Sequence, residues 1–189
     1  MVDGKVEEPG FSPALPTPNA KGFSPGPCMP RIAPQEIRTF FVTTVTHGRR
    51  CIFQTTRNAE LFLAVIADDR SKLRYAVHEL VLMPDHVHLI LTPAPDTSLE
   101  KAIQFIKGGF SFRAKRDLGA SREIWQAGYT EHRIRDSEDF QTHREYIHSN
   151  PVHRGLVSCP EEFVWSSASG KLSLDERPPG LKPHPHLES

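Results

Sequence analysis

Two histidines one residue apart, His86 and His88, interrupt an otherwise apolar run, Val81-Leu82-Met83-Pro84-Asp85-His86-Val87-His88-Leu89. On a β-strand, residues two apart share a face, so both imidazoles point the same way with Cα atoms about 7 Å apart. Two imidazoles so placed can grip one divalent metal ion. The pattern by itself is weak, because ten histidines in 189 residues give about 0.5 such pairs by composition alone. Its surroundings add weight: same-face histidines in an apolar strand need polar partners, and a metal ion supplies one. Further along, Tyr146-Ile147-His148-Ser149-Asn150-Pro151 places Tyr146 and Asn150 four apart, one turn along a helix face. Pro151 predicts that the helix stops at Asn150, so both would sit on its last turn, where the carbonyl ends favour a cation. A phenol, an amide oxygen and two imidazoles could then converge on one ion. The bland alternatives are a packed tyrosine with its hydroxyl satisfied, and an Asn-Pro pair that only ends a helix.

A third feature is a local excess of basic residues. Residues 99–135 carry Lys101, Lys107, Arg113, Lys115, Arg116, Arg122, Arg133 and Arg135 against Glu100, Asp117, Glu123 and Glu131, an excess of +4. Phe105, Phe110, Phe112, Trp125 and Tyr129 are interleaved with them. This is either a solvated helix face over core aromatics, or a phosphate-tracking groove with stacking surfaces of the kind single-strand binders use.

The elements that must position these groups follow from periodicity. Ile37 to Thr46 is β-branched and aromatic and predicts a strand, followed by a turn at 47–50 and a short extension at Cys51-Ile52-Phe53. Asn58 is placed to cap a helix to about Asp69, with Leu61, Val65 and Ile66 at helical spacing. Leu73 to Met83 and His86 to Thr92 predict a hairpin around Pro84-Asp85. Ser98 is an N-cap for a helix to about Asp117, with Ile103, Ile106 and Phe110 as its apolar stripe. Gly108-Gly109 should weaken that helix by roughly 1 kcal/mol per glycine. Ile124 to Gln126 and Glu131 to Ile134 predict one short strand or an edge hairpin, and Ser137 caps the helix that reaches Asn150. The order is strand, helix, hairpin, helix, strand, helix. The fold class it predicts is α+β and ferredoxin-like, an antiparallel sheet with helices packed on it.

Composition bounds the rest. Lys+Arg and Asp+Glu both number 23, so binding a polyanion by bulk charge is excluded and any nucleic-acid site must come from local clustering. Three cysteines, Cys28, Cys51 and Cys159, lie far apart, which argues against a disulfide scaffold or a zinc ribbon. The longest apolar run, Leu61 to Ala67, is seven residues, too short for a membrane span. The acidic start lacks the apolar core of a secretory signal, so the expected location is the cytoplasm and no membrane partner is expected. Eight of the 17 prolines fall in residues 1–34 and four more after residue 170. Residues 1–34 and 171–189 are therefore expected to be disordered tails around a single domain at 35–170, with Met29 as an alternative start.

In this setting the run from Val81 to Leu89 resembles the histidine–hydrophobic–histidine signature of single-tyrosine transposases. Trp125-Gln126, Glu131-His132-Arg133-Ile134-Arg135, Glu145 to Val152, Gly155-Leu156-Val157 and Phe163 to Ser167 resemble one branch, the REP-associated tyrosine transposases, relatives of small insertion-sequence transposases. The likeness covers about residues 37–168. It implies a metal-dependent nuclease that cuts and rejoins single-stranded, hairpin-forming DNA. By matching position it makes His86 and His88 metal ligands and Tyr146 the nucleophile, with Asn150 where relatives place a third ligand. It implies Mg²⁺ or Mn²⁺ as the ion. DNA contacts are expected from Lys107, Arg113, Lys115, Arg116, Arg133 and Arg135, and the protein is expected to act as a monomer or a homodimer. Two rival readings stand beside it. One is a domesticated module that grips DNA hairpins without turnover. The other is a metal-dependent hydrolase using water, against which speak Leu89 and Ile90 where an Asp or another His would follow the pair.

Overall fold

A computed structural model describes residues 37–178, 180 and 181. The proline-rich start, the Met29 start and residues 182–189 lie outside the described residues. Among these are seven main elements, in the order the apolar pattern predicts: β1 (Phe40–Val45), α1 (Thr56–Ser71), β2 (Tyr75–Met83), β3 (His86–Pro93), α2 (Leu99–Leu118), β4 (Thr130–Arg133) and α3 (Ser137–His153). The sheet order is β2-β3-β1-β4 with every pairing antiparallel, which is the ferredoxin-like arrangement.

Alternation along the central strands divides the sheet into two faces. Val42, Val77, Leu80, Leu82, Val87, Leu89 and Leu91 join Phe62, Ile66, Ile106 and Phe110 of α1 and α2 in the main core. Val81, Met83 and Ile90 point the other way, against Phe140 and Ile147 of α3. A register shift between Val77 and Glu79 in β2 switches the alternation. Without this bulge Glu79 would enter the α1–α2 core; with it, Glu79 faces α3. At Gly109 an added Cβ would meet Val65 Cγ1 at 3.0 Å, so the glycine that weakens α2 also lets it approach α1 closely.

Several local expectations are corrected. Cys51-Ile52-Phe53 does not extend a strand; Ile52–Gln54 is a 3₁₀ turn that buries Phe53. Thr55, not Asn58, holds the N-cap position of α1, and the Asn58 amide donates to Ile52 O at 2.7 Å. Asp136, not Ser137, caps α3 by accepting from Glu138 N and Asp139 N. That helix runs through Pro151 to His153, so Asn150 opens its last turn and Tyr146 lies one turn earlier. Proline only removes one donor here. The Asn150 and Pro151 carbonyls are still satisfied by Arg154 N and Leu156 N, at 3.1 and 2.9 Å. Residues 171–178, read from the sequence as part of a tail, lie along the outer edge of β2. Asp175 N donates to Val77 O and its carboxylate accepts from Val77 N and Arg70, at 2.8, 2.7 and 2.6 Å. These bonds cover backbone groups that an open edge strand would expose. No described helix is long and apolar enough to cross a membrane, and Cys51 and Cys159 are exposed free thiols.

Candidate active site

Strand β3 is central, with β1 and β2 on either side, so His86 and His88 are 5% and 4% exposed. The register sets Thr43 opposite His88, and Thr43 Oγ1 lies 2.7 Å from His88 Nδ1. His86 Nδ1 lies 2.5 Å from Asp85 Oδ1, in the hairpin turn. Both imidazoles thus use Nδ1 to bond the protein, and with that nitrogen protonated each keeps the Nε2 lone pair for a ligand. The two rings are 4.7 Å apart. Burial, helped by the neighbouring His86 and Arg154, pushes His88 down to about 3. Burial also lowers His86, although Asp85 pulls the other way. Neutral imidazoles are what a metal ion needs.

Helix α3 supplies the other two groups. The Asn150 side-chain nitrogen is 3.4 Å from His88 Nε2, while its buried Oδ1 has no hydrogen-bond partner. A buried carbonyl oxygen without a donor costs about 1–3 kcal/mol. The two ends of an amide are near-isosteric, so a half-turn brings the oxygen to His88 Nε2. The orphaned oxygen and two imidazole lone pairs fit a divalent cation. Tyr146 is 45% exposed, and its ring stands edge-on to His88 at 5.1 Å and to Phe41 at 5.9 Å. Tyr146, His86, His88 and Asn150 therefore gather on the α3 side of the sheet.

A polar network fixes α3 there. Glu79 accepts from Arg144 Nε and bonds His148 Nε2, both at 2.9 Å, and Ser167 Oγ donates to it at 2.5 Å. Burial opposes the charge on Glu79, yet the His148 and Ser167 hydrogen bonds hold its carboxyl below the usual range. A second group of ligand-type side chains, His132, Asp139 and His143, brings three donor atoms within 4.8 Å of one another. Asp139 and His143 are one helical turn apart and could have been paired from the sequence, but the helix pattern gives no link to His132, which the β1–β4 register brings from β4.

Residues 38–150, from the start of the sheet to Asn150, match the family described as Transposase IS200 like. The chain belongs to this transposase family. It is 30% identical to the REP-associated tyrosine transposase of Escherichia coli (strain K12) over 130 residues, covering 68% of this chain and 75% of that protein. It is 29% identical over 119 residues to a putative REP-associated tyrosine transposase of Haemophilus influenzae (strain ATCC 51907 / DSM 11121 / KW20 / Rd), covering 58% and 68%. A solved REP-associated tyrosine transposase bound to a REP hairpin superposes with a TM-score of 0.59 at 26% identity, over 83% of this chain and 98% of that one.

The basic residues singled out for DNA do not gather with the histidines. Lys107, Arg113, Lys115 and Arg116 belong to α2, across the sheet from His86 and His88. Lys107 Nζ donates to Gln126 O and Gly128 O, at 2.8 and 2.7 Å. Arg113 and Arg116 both pair with Asp117, and Lys115 is exposed. Arg133 lies opposite Phe40 in the register and so shares the α1–α2 face; Arg135 is exposed beyond β4. Of the interleaved aromatics, Phe110 and Trp125 are core residues, whereas Phe112 is 65% exposed. The cations acting on the histidines are others: Arg154 on both imidazoles, and Arg49 on His86 with a 3.1 Å bond to Asp85. Neither carries a sequence signal, because turns and register bring them there.

Proposed function

We propose that this transposase-family chain cuts and rejoins single-stranded DNA at hairpin-forming sites, with Tyr146 as the nucleophile and His86, His88 and Asn150 holding a divalent ion. One observation carries the reading: the Tyr146 ring is 5.1 Å from the His88 ring, whose Nε2 lies 3.4 Å from the Asn150 amide. The hairpin substrate is taken from the solved relative, which is bound to a REP hairpin.

The phenol oxygen of Tyr146 attacks a backbone phosphorus. An O–P bond forms, the bond to the 3′ oxygen breaks, and the 5′ phosphate stays on the tyrosine. Solvent reaches the half-exposed phenol, takes its proton, and gives one to the departing 3′ oxygen. Attack by a 3′ hydroxyl reverses the step and restores the strand without ATP, because the phosphotyrosine conserves the bond energy. Phe41 and His88 meet the tyrosine ring at its edges and limit its rotation. Thr43 and Asp85 hold the imidazoles by Nδ1 and so aim Nε2 outward. Arg154, exposed where α3 ends, is placed to hold a phosphate beside the histidines. When bound, Mg²⁺ or Mn²⁺ supplies polarisation of the scissile phosphate and offsets developing negative charge, with two imidazoles favouring Mn²⁺.

Incubation with hairpin-flanked single-stranded DNA and Mn²⁺ is expected to give a denaturation-resistant protein–DNA adduct. Tyr146→Phe should abolish it and leave hairpin binding within about twofold, since one hydroxyl is removed and no charge. Unchanged adduct yield in Tyr146→Phe would remove Tyr146 from this role. Tight binding without adduct under any metal would favour the domesticated module.

A further inference from the structure

Strand cutting leaves a second group of metal-ligand side chains unused. His132 comes from β4, and Asp139 and His143 lie one turn apart on α3. His132 Nε2 is 2.9 Å from Asp139 Oδ2, and His143 Nδ1 is 3.0 Å from Asp139 Oδ1. The two imidazoles stack 4.5 Å apart at 19°. We propose that these three side chains form a second cation site for a divalent transition metal of the zinc class, which staples the edge strand β4 to the first turns of α3.

The donor set argues for that class. Two imidazoles and one carboxylate are the protein ligands of many three-ligand zinc sites, with a fourth position left open, whereas Mg²⁺ prefers oxygen donors. A tetrahedral ion with bonds of about 2.0–2.1 Å needs its donors roughly 3.3 Å apart. From one carboxylate oxygen, Asp139 Oδ1, both ring nitrogens are 3.0 Å away, within a few tenths of an ångström of this. All three donor atoms lie within 4.8 Å of one another, and on binding the stacked rings tilt toward each other to bring both in-plane lone pairs onto the ion. The carboxylate is already oriented from behind, since Asp139 Oδ2 accepts the Arg135 backbone N–H at 3.0 Å. Without an ion, both rings turn a nitrogen toward the same carboxylate, and His143 Nδ1 also lies 2.8 Å from Asp139 O. A cation replaces the protons in those bonds. The three side chains are 38%, 18% and 21% exposed, so an ion can enter from solvent.

The site is separate from the one at His86 and His88. The Phe41 ring lies 5.5 Å from His88 and 4.7 Å from His143, and no ligand is shared. The proposal does not rest on the strand-cutting reading, because it needs only the three ligands. Its consequence reaches that reading all the same: Tyr146 follows His143 by three residues, so the staple fixes the helix that presents the phenol.

The test is bound zinc per chain after equilibrium dialysis of the full chain. The double variant His132→Gln/His143→Gln should hold one equivalent less than the unsubstituted protein, and the Zn²⁺-induced rise in thermal midpoint should shrink with it. Any zinc held by His184 and His186 is common to both proteins and cancels. Equal stoichiometry overturns the site. Should the double variant fail to fold, long-range ¹H–¹⁵N spectra of the unsubstituted protein decide. Zn²⁺ should move His132 Nε2 and His143 Nδ1 to metal-bound positions, and resonances that stay in place overturn the proposal. The Mn²⁺ adduct assay is scored separately, so failure of either reading leaves the other standing.

Discussion

Thr43 and Asp85 never touch the substrate in this account, yet each fixes one imidazole by Nδ1. Removing the Thr43 hydroxyl leaves that nitrogen of His88 buried without its partner, at about 1–3 kcal/mol of stability. Thr43→Val is therefore expected to lower both the urea midpoint and the affinity for Mn²⁺. The affinity loss should be about 10–100-fold, as for other outer partners of metal-bound histidine. An unchanged Mn²⁺ titration would show that His88 needs no such anchor. The residues that the sequence alone could bring together were those with fixed spacing: His86 with His88 on a strand, Tyr146 with Asn150 on a helix. Thr43 was not legible, because its place opposite His88 depends on the β1–β3 register. Arg154 was not legible because Pro151 implied a helix that stops short of it.

At the scale of elements, the two glycines of α2 separate intrinsic helix preference from packing. Gly108 has open space where a Cβ would stand, so Gly108→Ala should stabilise by roughly 1 kcal/mol. At Gly109 the new methyl meets Val65 Cγ1 at 3.0 Å, inside the α1–α2 contact. Overpacking there costs about 1–3 kcal/mol, so Gly109→Ala should be destabilising despite its better propensity. Urea unfolding of the two variants checks the contrast, and equal gains would mean that α1 yields freely. The same elements show what a pattern conveys. The β2–β3 hairpin and α2 were legible from alternation, the Pro84-Asp85 turn and the Ser98 cap. The bulge at Val77/Glu79 was not, although its trace is visible: apolar parity breaks at Glu79, a charge within an apolar strand. Nor could the sequence tell that α3 continues past Pro151, since that depends on carbonyl partners supplied further along the chain.

For the whole molecule, zero net charge conceals a division of labour. The +4 stretch contributes much of its charge to α2, on the far side of the sheet from the histidines, where Arg113 and Arg116 are paired with Asp117. The α3 face instead stores buried neutral histidines and ionised carboxylates, and this sets a pH dependence. His78, His86 and His88 are held below the ordinary 6.5 by burial, so the unfolded chain takes up protons at these positions first. Stability should therefore fall as pH drops below about 6.5, with the His88 share levelling off only near 3. Glu79 adds a loss with the same sign. Burial opposes its charge, but the bonds from His148 and Ser167 hold its pKa below 4.5, and that stability disappears as pH falls through the lowered value. Thermal midpoints in metal-free buffer from pH 8 to 4 check this, and His88→Gln should flatten the slope between 6.5 and 4.5. A flat profile in the unsubstituted protein would contradict the buried neutral imidazoles.

The most direct measurement is the chemical identity of the protein–DNA linkage. Peptide mass spectrometry of the adduct formed with Mn²⁺ and hairpin-flanked single-stranded DNA should find the nucleotide on Tyr146, attached through its 5′ phosphate. The released strand should end in a 3′ hydroxyl. A nucleotide attached to any other residue, or cleaved strands with both ends free and no protein attached, would contradict the account.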